Sequence, residues 1–530
     1  MNPSSLDQVN SQPTVGAHPS RAERLERLES ARLDLLVVGG GITGSAVAEE
    51  AAARGLSVAL IERDDFAVGA SGHTSKLLHG GLRYLAQGKV GLVREALRER
   101  SHLLTELDPT WVHPVPFLLP LSGPLSTRLK NRFGTWLYER LAGSHRLGPR
   151  SILGRSETLS LVPQLASEGL RGGVLYWEAI VDDVALTLYR VESAARAGAV
   201  VVNHVEAVGA GTEGGGGFRV LARDVLSGRE FSIRSRWVAD ATGAWMGRVP
   251  LLSQNAPRIM PSKGIHLVFR REKLPIDVAV VLPGPDERPT FVLPAGSLLL
   301  VGTTDTAFSG DPARVRAEPP DMDYLFQTLR AGFPAVPFSP ADLVDVYAGV
   351  RPLLAATASN TSELSREDVE AFDPSGRIAV AGGKLTTHRA MAHRAVRLLP
   401  VVRSQPSGRP KPGRTPVART NSKGPTPLSG GTELVARLAR EPRAQDWDEL
   451  RRRAAQALDT EQAESLDDLV DRRLHALNRR EPGFEKVLEE TAGIFAEVRR
   501  LSPLERDALV RSYREHRDRE YSGLGAVVHD

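Results

Sequence analysis

Leu35–Gly44 reads LLVVGGGITG, and soon after it Ser57–Glu62 reads SVALIE. The run Asp34–Val38 is almost wholly apolar, as a central strand of a parallel sheet should be. Gly39, Gly41 and Gly44 then follow in G-x-G-x-x-G spacing. The first permits a tight turn, the second lets a pyrophosphate approach the backbone, and the third lets helix and strand pack closely. A helix over about Thr43–Arg54, ended by Gly55, leads to the second strand. The helix N-terminus turns its amides and positive dipole end to the phosphates. Glu62, closing the second strand, can accept both ribose hydroxyls and would repel a 2′-phosphate, which argues against NADP. Strand, helix and acid in this order predict a right-handed βαβ dinucleotide unit.

Around this unit lies a chain of 530 residues, which suits two or three domains. The 68 basic and 64 acidic side chains leave a net charge of +4, too small an excess to favour nucleic-acid binding. There are no cysteines, which removes disulfides, thiolate catalysis and cysteine-held iron–sulfur clusters. No metal is expected. The first residues, MNPSSLDQVNSQPTVGAHPS, lack a basic start and apolar core, so they read as a tail rather than a secretory signal. No apolar run approaches the roughly 18–20 residues needed to span a bilayer.

Further along, Arg21–Arg32 reads as a short charged helix. Val90–Leu107 and Asp183–Ala197 read as helices, Ala199–Asn203 and Trp237–Thr242 as strands, and Gly214–Gly217 as a hairpin turn. From about Arg258 to Tyr347 short β-type runs (IHLVF, AVVL, TFVLP, LLLVG) predict a mainly antiparallel sheet. Arg377–Ala381 returns to a buried strand, with a helix from about Thr386. Val401–Gly430, rich in Pro, Gly, Ser and Arg, reads as a linker, and the remainder as helical, with Ser502-Pro503-Leu504-Glu505 a helix start. The expected fold is α/β: a Rossmann-like dinucleotide domain with an inserted mainly antiparallel β-sheet domain and a C-terminal α-helical domain. The expected partition is 1–33 tail and lead-in helix; 34–110, 165–257 and 348–400 dinucleotide domain; 111–164 and 258–347 substrate domain; 401–430 linker; 431–530 helical domain.

Two later glycine-bearing strand ends decide which dinucleotide is held. One is WVADATGAW at Trp237–Trp245, and the other is AVAGGKLTT at Ala379–Thr387, again leading into a helix. A late strand–Gly-Gly–helix unit can aim a second helix N-terminus at a flavin pyrimidine carbonyl and stabilise charge on the reduced ring. A nicotinamide domain has no need of it. Each motif alone could be a structural turn, but three in order favour FAD. Ser71–Tyr84, SGHTSKLLHGGLRY, lies where the isoalloxazine end would be and carries hydroxyl and basic groups suited to a phosphorylated substrate.

Through these motifs, Arg21–Leu399 closely resembles the FAD-dependent glycerol-3-phosphate dehydrogenases, within the broader amine and amino-acid oxidase group. The segments carrying the resemblance are DLLVVGGGITG, TSKLLHGGLRYL, GLVREALRER, YWEAIVDD, VGTTDT, YAGVRPL and AGGKLTTHR, with a weaker echo in SLDDLVDRR at Ser465–Arg473. The resemblance implies oxidation of sn-glycerol 3-phosphate to dihydroxyacetone phosphate, with hydride passing from C2 to flavin N5 and electrons then to quinone. It implies His266 as the base and Arg351 beside the substrate hydroxyl. Arg83, Tyr84, Thr303, Thr304, Arg366 and Lys384 are implied at the substrate; read unaided, Arg366 is a solvated arginine. FAD is expected against Gly39, Gly41, Ile42, Thr43, Gly44, Glu62 and Arg63. Further FAD positions are Ser71, Thr74, Ser75, Lys76, His79, Gly80, Gly81 and Leu82, then Ala241, Thr242, Gly243 and Trp245. The last set is Gly382, Gly383, Lys384, Leu385 and Thr386.

The chain departs from that pattern at Gly72-His73-Thr74, at Ala307-Phe308 after TTDT, and over Ile276–Leu293. His73 reads first as a loop histidine; covalent attachment of the flavin is the alternative. Leu129, Phe133, Trp136, Leu137 and Leu141 form one apolar helical face flanked by Arg128, Lys130, Arg132 and Arg140. Such a helix can lie in an anionic bilayer interface or pack on the sheet domain with solvated basic flanks. The expected location is cytoplasmic, with peripheral contact at the cytoplasmic membrane face. Oxygen as acceptor, and an amine or other 2-hydroxy substrate, are the enzymatic alternatives; a flavin-binding scaffold without turnover is the non-enzymatic one. Nothing in the C-terminal pattern chooses between homodimerisation and membrane docking.

Overall fold

The computed structural model describes residues 19–107, 111–213, 216–249, 257–354, 368–373, 375–400, 443–474, 476, 479–481 and 483–521. Arg366 and the basic segment Val401–Gly430 lie outside the described residues.

The first sheet grows around β1 (Arg32–Val38). On one side β1 pairs in parallel with β2 (Val58–Ile61), which pairs with β7 (Val200–Val202). On the other side lies β10 (Glu230–Asp240), then β18 (Arg377–Gly382), both parallel, and β17 (Asp368–Asp373) closes that edge antiparallel. The hairpin of β8 (Val205–Thr212) and β9 (Phe218–Asp224) extends β10 antiparallel. The helix between β1 and β2, α2 (Ile42–Ala53), is built from small residues and is largely buried. It packs against α6 (Asp183–Arg196) and α8 (His388–Arg397). Ahead of β1, α1 (Arg21–Ser30) begins with a capping box between Ser20 and Glu23.

The second sheet joins β11 (Ile259–Arg270), β12 (Ala279–Pro283), β13 (Pro289–Ala295), β14 (Leu298–Gly302), β15 (Thr306–Ala307) and β16 (Leu343–Leu354) to strands from earlier in the chain. Those earlier strands are β3 (Leu77–Leu78), β4 (Val112–Pro120), β5 (Ser151–Gly154) and β6 (Gly172–Val181). All pairings are antiparallel except β12 with β4. This corrects the expected partition at three places. β3, β6 and most of β16 fall in segments expected to build the dinucleotide domain, yet they hydrogen-bond into the second sheet. β6 is nearly all buried and pairs with β4 from Gly173 to Val181. A strand covered on both faces looks the same in either sheet, so its apolar run could not reveal its partner.

α3 (Val90–Glu106) and α4 (Leu125–Ala142) cover one part of this sheet, α5 (Arg155–Leu161) follows β5, and α7 (Pro319–Gly332) packs on β11 and β12.

The C-terminal helices α9 (Ala444–Thr460), α10 (Phe484–Arg499) and α11 (Pro503–Tyr521) have their own core, including Leu450, Leu466, Phe484, Leu488 and Tyr513. The expected helix start is present: Ser502 N donates to Glu505 at 2.7 Å, and Glu505 N donates to Ser502 Oγ at 3.3 Å. Charged anchors bind these helices to both sheets. Arg473 and Arg472, in a π-helical stretch (Asp468–Arg473), clasp Asp65 after β2 at 2.5 and 2.8 Å. Arg479 and Tyr521 both bind buried Asp345 of β16, at 3.1 and 2.7 Å.

Candidate functional site

The C-terminal ends of β1, β10 and β18 lie side by side because those strands are parallel, so three glycine turns open onto one edge of the sheet, where ligands of such folds bind. Facing that edge is the second sheet, and between them runs a cleft of about 590 Å³.

At one end the β1 turn forms a cradle. Gly39 has φ +112°, and a Cβ there would lie 2.5 Å from the Ala241 carbonyl oxygen. A Cβ on Gly41 would meet Ser71 Oγ at 2.9 Å, and that hydroxyl caps α2 by accepting Ile42 N–H at 2.9 Å. Glu62 accepts the amides of Gly40 and Asp64 at 2.7 and 2.9 Å. Burial nonetheless raises its carboxyl above the ordinary value. Arg63 lies 5.4 Å over the Trp245 ring. At the third turn Gly382 and Gly383 both have positive φ before the start of α8. Thr386 ties this turn to the HGG loop, accepting His79 N–H at 3.1 Å. The bare glycine turns, the capped helix end and the acid suit a dinucleotide pyrophosphate and ribose, so the residues present fit the expected group.

At the other end, His266 is 3% exposed. Its ring stacks on Tyr347 with centroids 4.8 Å apart and 17° between planes. Ser75 Oγ lies 2.9 Å from its Nε2. Burial first, then the charges of Arg351 and Lys76, push this imidazole well below its ordinary value, so it is neutral near pH 7. Arg351 Nη2 donates to Thr303 Oγ1 at 2.6 Å, and Asp305 lies 3.6 Å away. Lys384 Nζ lies 3.9 Å over the Tyr84 ring and Arg83 5.2 Å from it. His73 lines the cleft, its Nδ1–H donating to the Gly69 carbonyl at 2.9 Å, and burial lowers its pKa.

Most residues expected at the site do line this one cleft: His266, Arg351, Arg83, Thr303, Thr304 and Lys384, and the glycine-turn positions except Gly44. Six do not. Gly44 sits where a Cβ would strike the Gly39 carbonyl, so its role is helix–strand packing. Lys76 is buried in an ion pair with Asp183 at 2.6 Å. Gly80 donates its amide to Tyr138 at 2.8 Å, and Gly81 packs on Tyr84. Leu82 joins a core cluster, and Tyr84, 3% exposed, lies beneath Lys384 rather than over the cleft. Unanticipated wall residues include Arg288, Phe291 and Asp305, and, beside Glu62, Val205 and Ala207. The signal for the last two was present: β7 neighbours β2, so the chain leaving β7 must pass the end of β2, where Val205 N donates to Glu62 O at 2.7 Å.

Residues 34–398 match the model of the family described as FAD dependent oxidoreductase. The chain belongs to that family. FAD is accordingly its cofactor. Among similar proteins, a glycerol-3-phosphate dehydrogenase of Mycobacterium leprae is 42% identical over 378 residues, 71% of this chain and 64% of that protein. The match thus spans just under two thirds of that relative's length. The aerobic glycerol-3-phosphate dehydrogenase of Bacillus subtilis is 37% identical, over 69% of this chain and 66% of the relative. In structure, this FAD dependent oxidoreductase resembles a glycerol-3-phosphate dehydrogenase from Bacillus halodurans complexed with FAD. The TM-score is 0.70 at 25% identity, covering 96% of this chain and 99% of that one. A glycine oxidase from Geobacillus kaustophilus shares the fold, with TM-score 0.56 at 20% identity over 71% of this chain and 96% of that one.

Proposed function

We propose that this protein oxidises sn-glycerol 3-phosphate at C2 to dihydroxyacetone phosphate and passes the electrons to quinone. The observation that carries this reading is a neutral, buried His266 beside the cation Arg351, in one cleft whose walls also include Arg83 and Lys384. Removing a proton from a secondary alcohol needs a base that is unprotonated at working pH. His266, held neutral by burial and by neighbouring positive charge, meets that need. The guanidinium of Arg351, oriented by Thr303, stabilises negative charge developing on the alcohol oxygen. Arg83 and Lys384 supply cationic donors for the phosphate, and a neutral amine substrate would find this set unfavourable. Bound FAD supplies the two-electron acceptor for the hydrogen on C2. The likeness to glycerol-3-phosphate dehydrogenases over about 70% of this chain supports the same substrate.

The test is anaerobic mixing with glycerol 3-phosphate. Bleaching of the flavin absorbance is expected, and an unchanged spectrum would overturn the reading. Reoxidation of the reduced enzyme by a quinone analogue should outpace that by oxygen; fast oxygen reactivity would overturn the quinone assignment.

A specific surface supports delivery to a membrane-held acceptor. On α4, Leu125, Leu129, Phe133 and Trp136 are 60, 53, 61 and 46% exposed, with Phe133 and Trp136 in ring contact at 5.5 Å. The Leu137 and Leu141 half of the expected face turns inward instead and is half-buried. Lys130, Arg132 and Arg140 stand exposed beside the apolar stripe, an arrangement that fits an anionic bilayer surface. No helix among the described residues is long and apolar enough to cross a membrane. Co-sedimentation with anionic vesicles should be lost in a Phe133→Ser/Trp136→Ser double variant. Equal sedimentation of variant and wild type would remove α4 as the contact.

A further inference from the structure

His266 is barely accessible from the cleft. It is 3% exposed, and among the described residues its Nδ1 is buried with no hydrogen-bond partner. Its Cδ2–Nε2 edge presses on Gly302, where even a Cβ would lie only 2.6 Å from Nε2. One ring face is covered by Tyr347. Nε2 meets the Ser75 hydroxyl at 2.9 Å, and Ser75 itself lines the cleft and is only half-buried.

We propose that the Ser75 hydroxyl is the proton conduit between substrate and His266. This rests on the reading of the site as a glycerol 3-phosphate oxidising centre. Ser75 Oγ donates to bare Nε2 in the resting state. As the substrate O–H bond breaks, its proton passes to Ser75 Oγ while the Ser75 proton passes to Nε2. The electron pair of the C2–H bond leaves with its hydrogen as hydride, to the FAD already assigned, and the C2–O bond becomes a carbonyl. Serine ends unchanged and the imidazole ends protonated, so protons and electrons balance.

A hydroxyl suits this role because it can donate and accept at once. The backbone aims it. Thr74, its neighbour, is pinned by Asp183, which accepts Thr74 N–H and Oγ1–H at 3.0 and 2.7 Å. On the other side Lys76, at positive φ, is held by the same carboxylate at 2.6 Å. Tyr347 closes the arrangement by donating its hydroxyl to the Thr74 carbonyl at 3.0 Å. The buried ion pair and the phenol therefore place Ser75 Oγ against Nε2, which gives Lys76 and Asp183 a positioning role that the cofactor does not account for.

The test uses the FAD-loaded enzyme. Ser75→Ala should lower kcat by about 100-fold or more, with KM for glycerol 3-phosphate and bound FAD nearly unchanged, and Ser75→Thr should restore most of the rate. The wild-type proton inventory in mixed H₂O/D₂O should curve, reporting two protons in flight. A Ser75→Ala variant retaining kcat within threefold would overturn the conduit, as would loss of FAD in parallel with kcat. A second readout is independent of substrate: ¹⁵N-histidine spectra, with the His266 signal assigned by its loss in His266→Asn, should show the ring proton on Nδ1. A proton on Nε2 would overturn the proposal whatever the substrate. If wild-type flavin is not bleached by glycerol 3-phosphate, the substrate reading fails, and the tautomer still decides for or against Ser75.

Discussion

His266 of β11 and Tyr347 of β16 are direct cross-strand partners, and their rings stack at 4.8 Å. The antiparallel register thus sets the orientation of the candidate base, because a slip by one residue would turn both side chains to the opposite face. Tyr347→Ala should cut kcat by about tenfold or more, since an aromatic pair is worth about 0.5–1.5 kcal/mol beyond area and loss of the stack frees the imidazole. Tyr347→Phe keeps the stack and loses only the bond to Thr74, so a smaller fall is expected. Steady-state kinetics on both variants checks this; equal losses would mean that the hydroxyl, not the ring, matters.

The depressed pKa of His266 has a sign that can be read in a pH profile. Its neutral form persists as pH falls through the ordinary histidine value of about 6.5, so kcat should hold there and decline only at lower pH. Following kcat rather than kcat/KM avoids the second ionisation of substrate phosphate near pH 6. Arg351→Gln removes the charge that, after burial, does most to lower this pKa. It should shift the acid limb upward and reduce kcat by about 100-fold or more. A limb unmoved by that change would dissociate Arg351 from the imidazole.

Asp65 carries the dock of the C-terminal helices, with Arg473 fully buried against it and Asn203 Nδ2 donating at 2.9 Å. Asp65→Ala removes the carboxylate facing the buried Arg473 guanidinium and one partner of half-buried Arg472, and should cost about 3–5 kcal/mol, whereas an exposed pair is worth about 0–1 kcal/mol. The exposed comparator is Asp448→Ala, which removes a partner of Arg451. Thermal melts of the two variants should differ by several degrees, and equal melting points would contradict the dock.

Gly39→Ala places a Cβ 2.5 Å from the Ala241 carbonyl at a φ of +112°, directly in the cofactor cradle. FAD retention should fall by about tenfold or more for each 1.4 kcal/mol of strain expressed in binding. Gly91→Ala, in α3 with open space around it, is the matched control and should keep its flavin. Absorbance per mole of purified protein measures both.

Local pattern made the dinucleotide half of the site legible. Gly39, Gly41, Glu62, Thr242 and Gly382 lie at strand ends, where turn chemistry and sheet direction together dictate what each backbone atom faces. The substrate half was legible only by resemblance. His266 and Arg351 look like ordinary strand residues until β11 and β16 pair. Tyr84 and Lys76 sit within the same motif as Arg83 and Ser75, yet the fold sends the first pair into the interior and the second pair to the cleft. No periodicity separates them, because Gly81 and Lys76 both adopt positive φ and break the alternation.

By itself, then, the sequence determined the βαβ opening, the three glycine turns, the choice of FAD over NADP and the helical character of the C-terminal region. The first two and the last follow from interactions between residues close in the chain, whereas FAD needed three glycine motifs in order along it. Tertiary structure alone decided that β3, β6 and β16 belong to the second sheet, that Asp65 holds the C-terminal helices, and that Ser75 reaches His266 across 191 positions. Those contacts depend on strand pairing and burial between distant segments, and such pairing leaves no local trace in side-chain pattern.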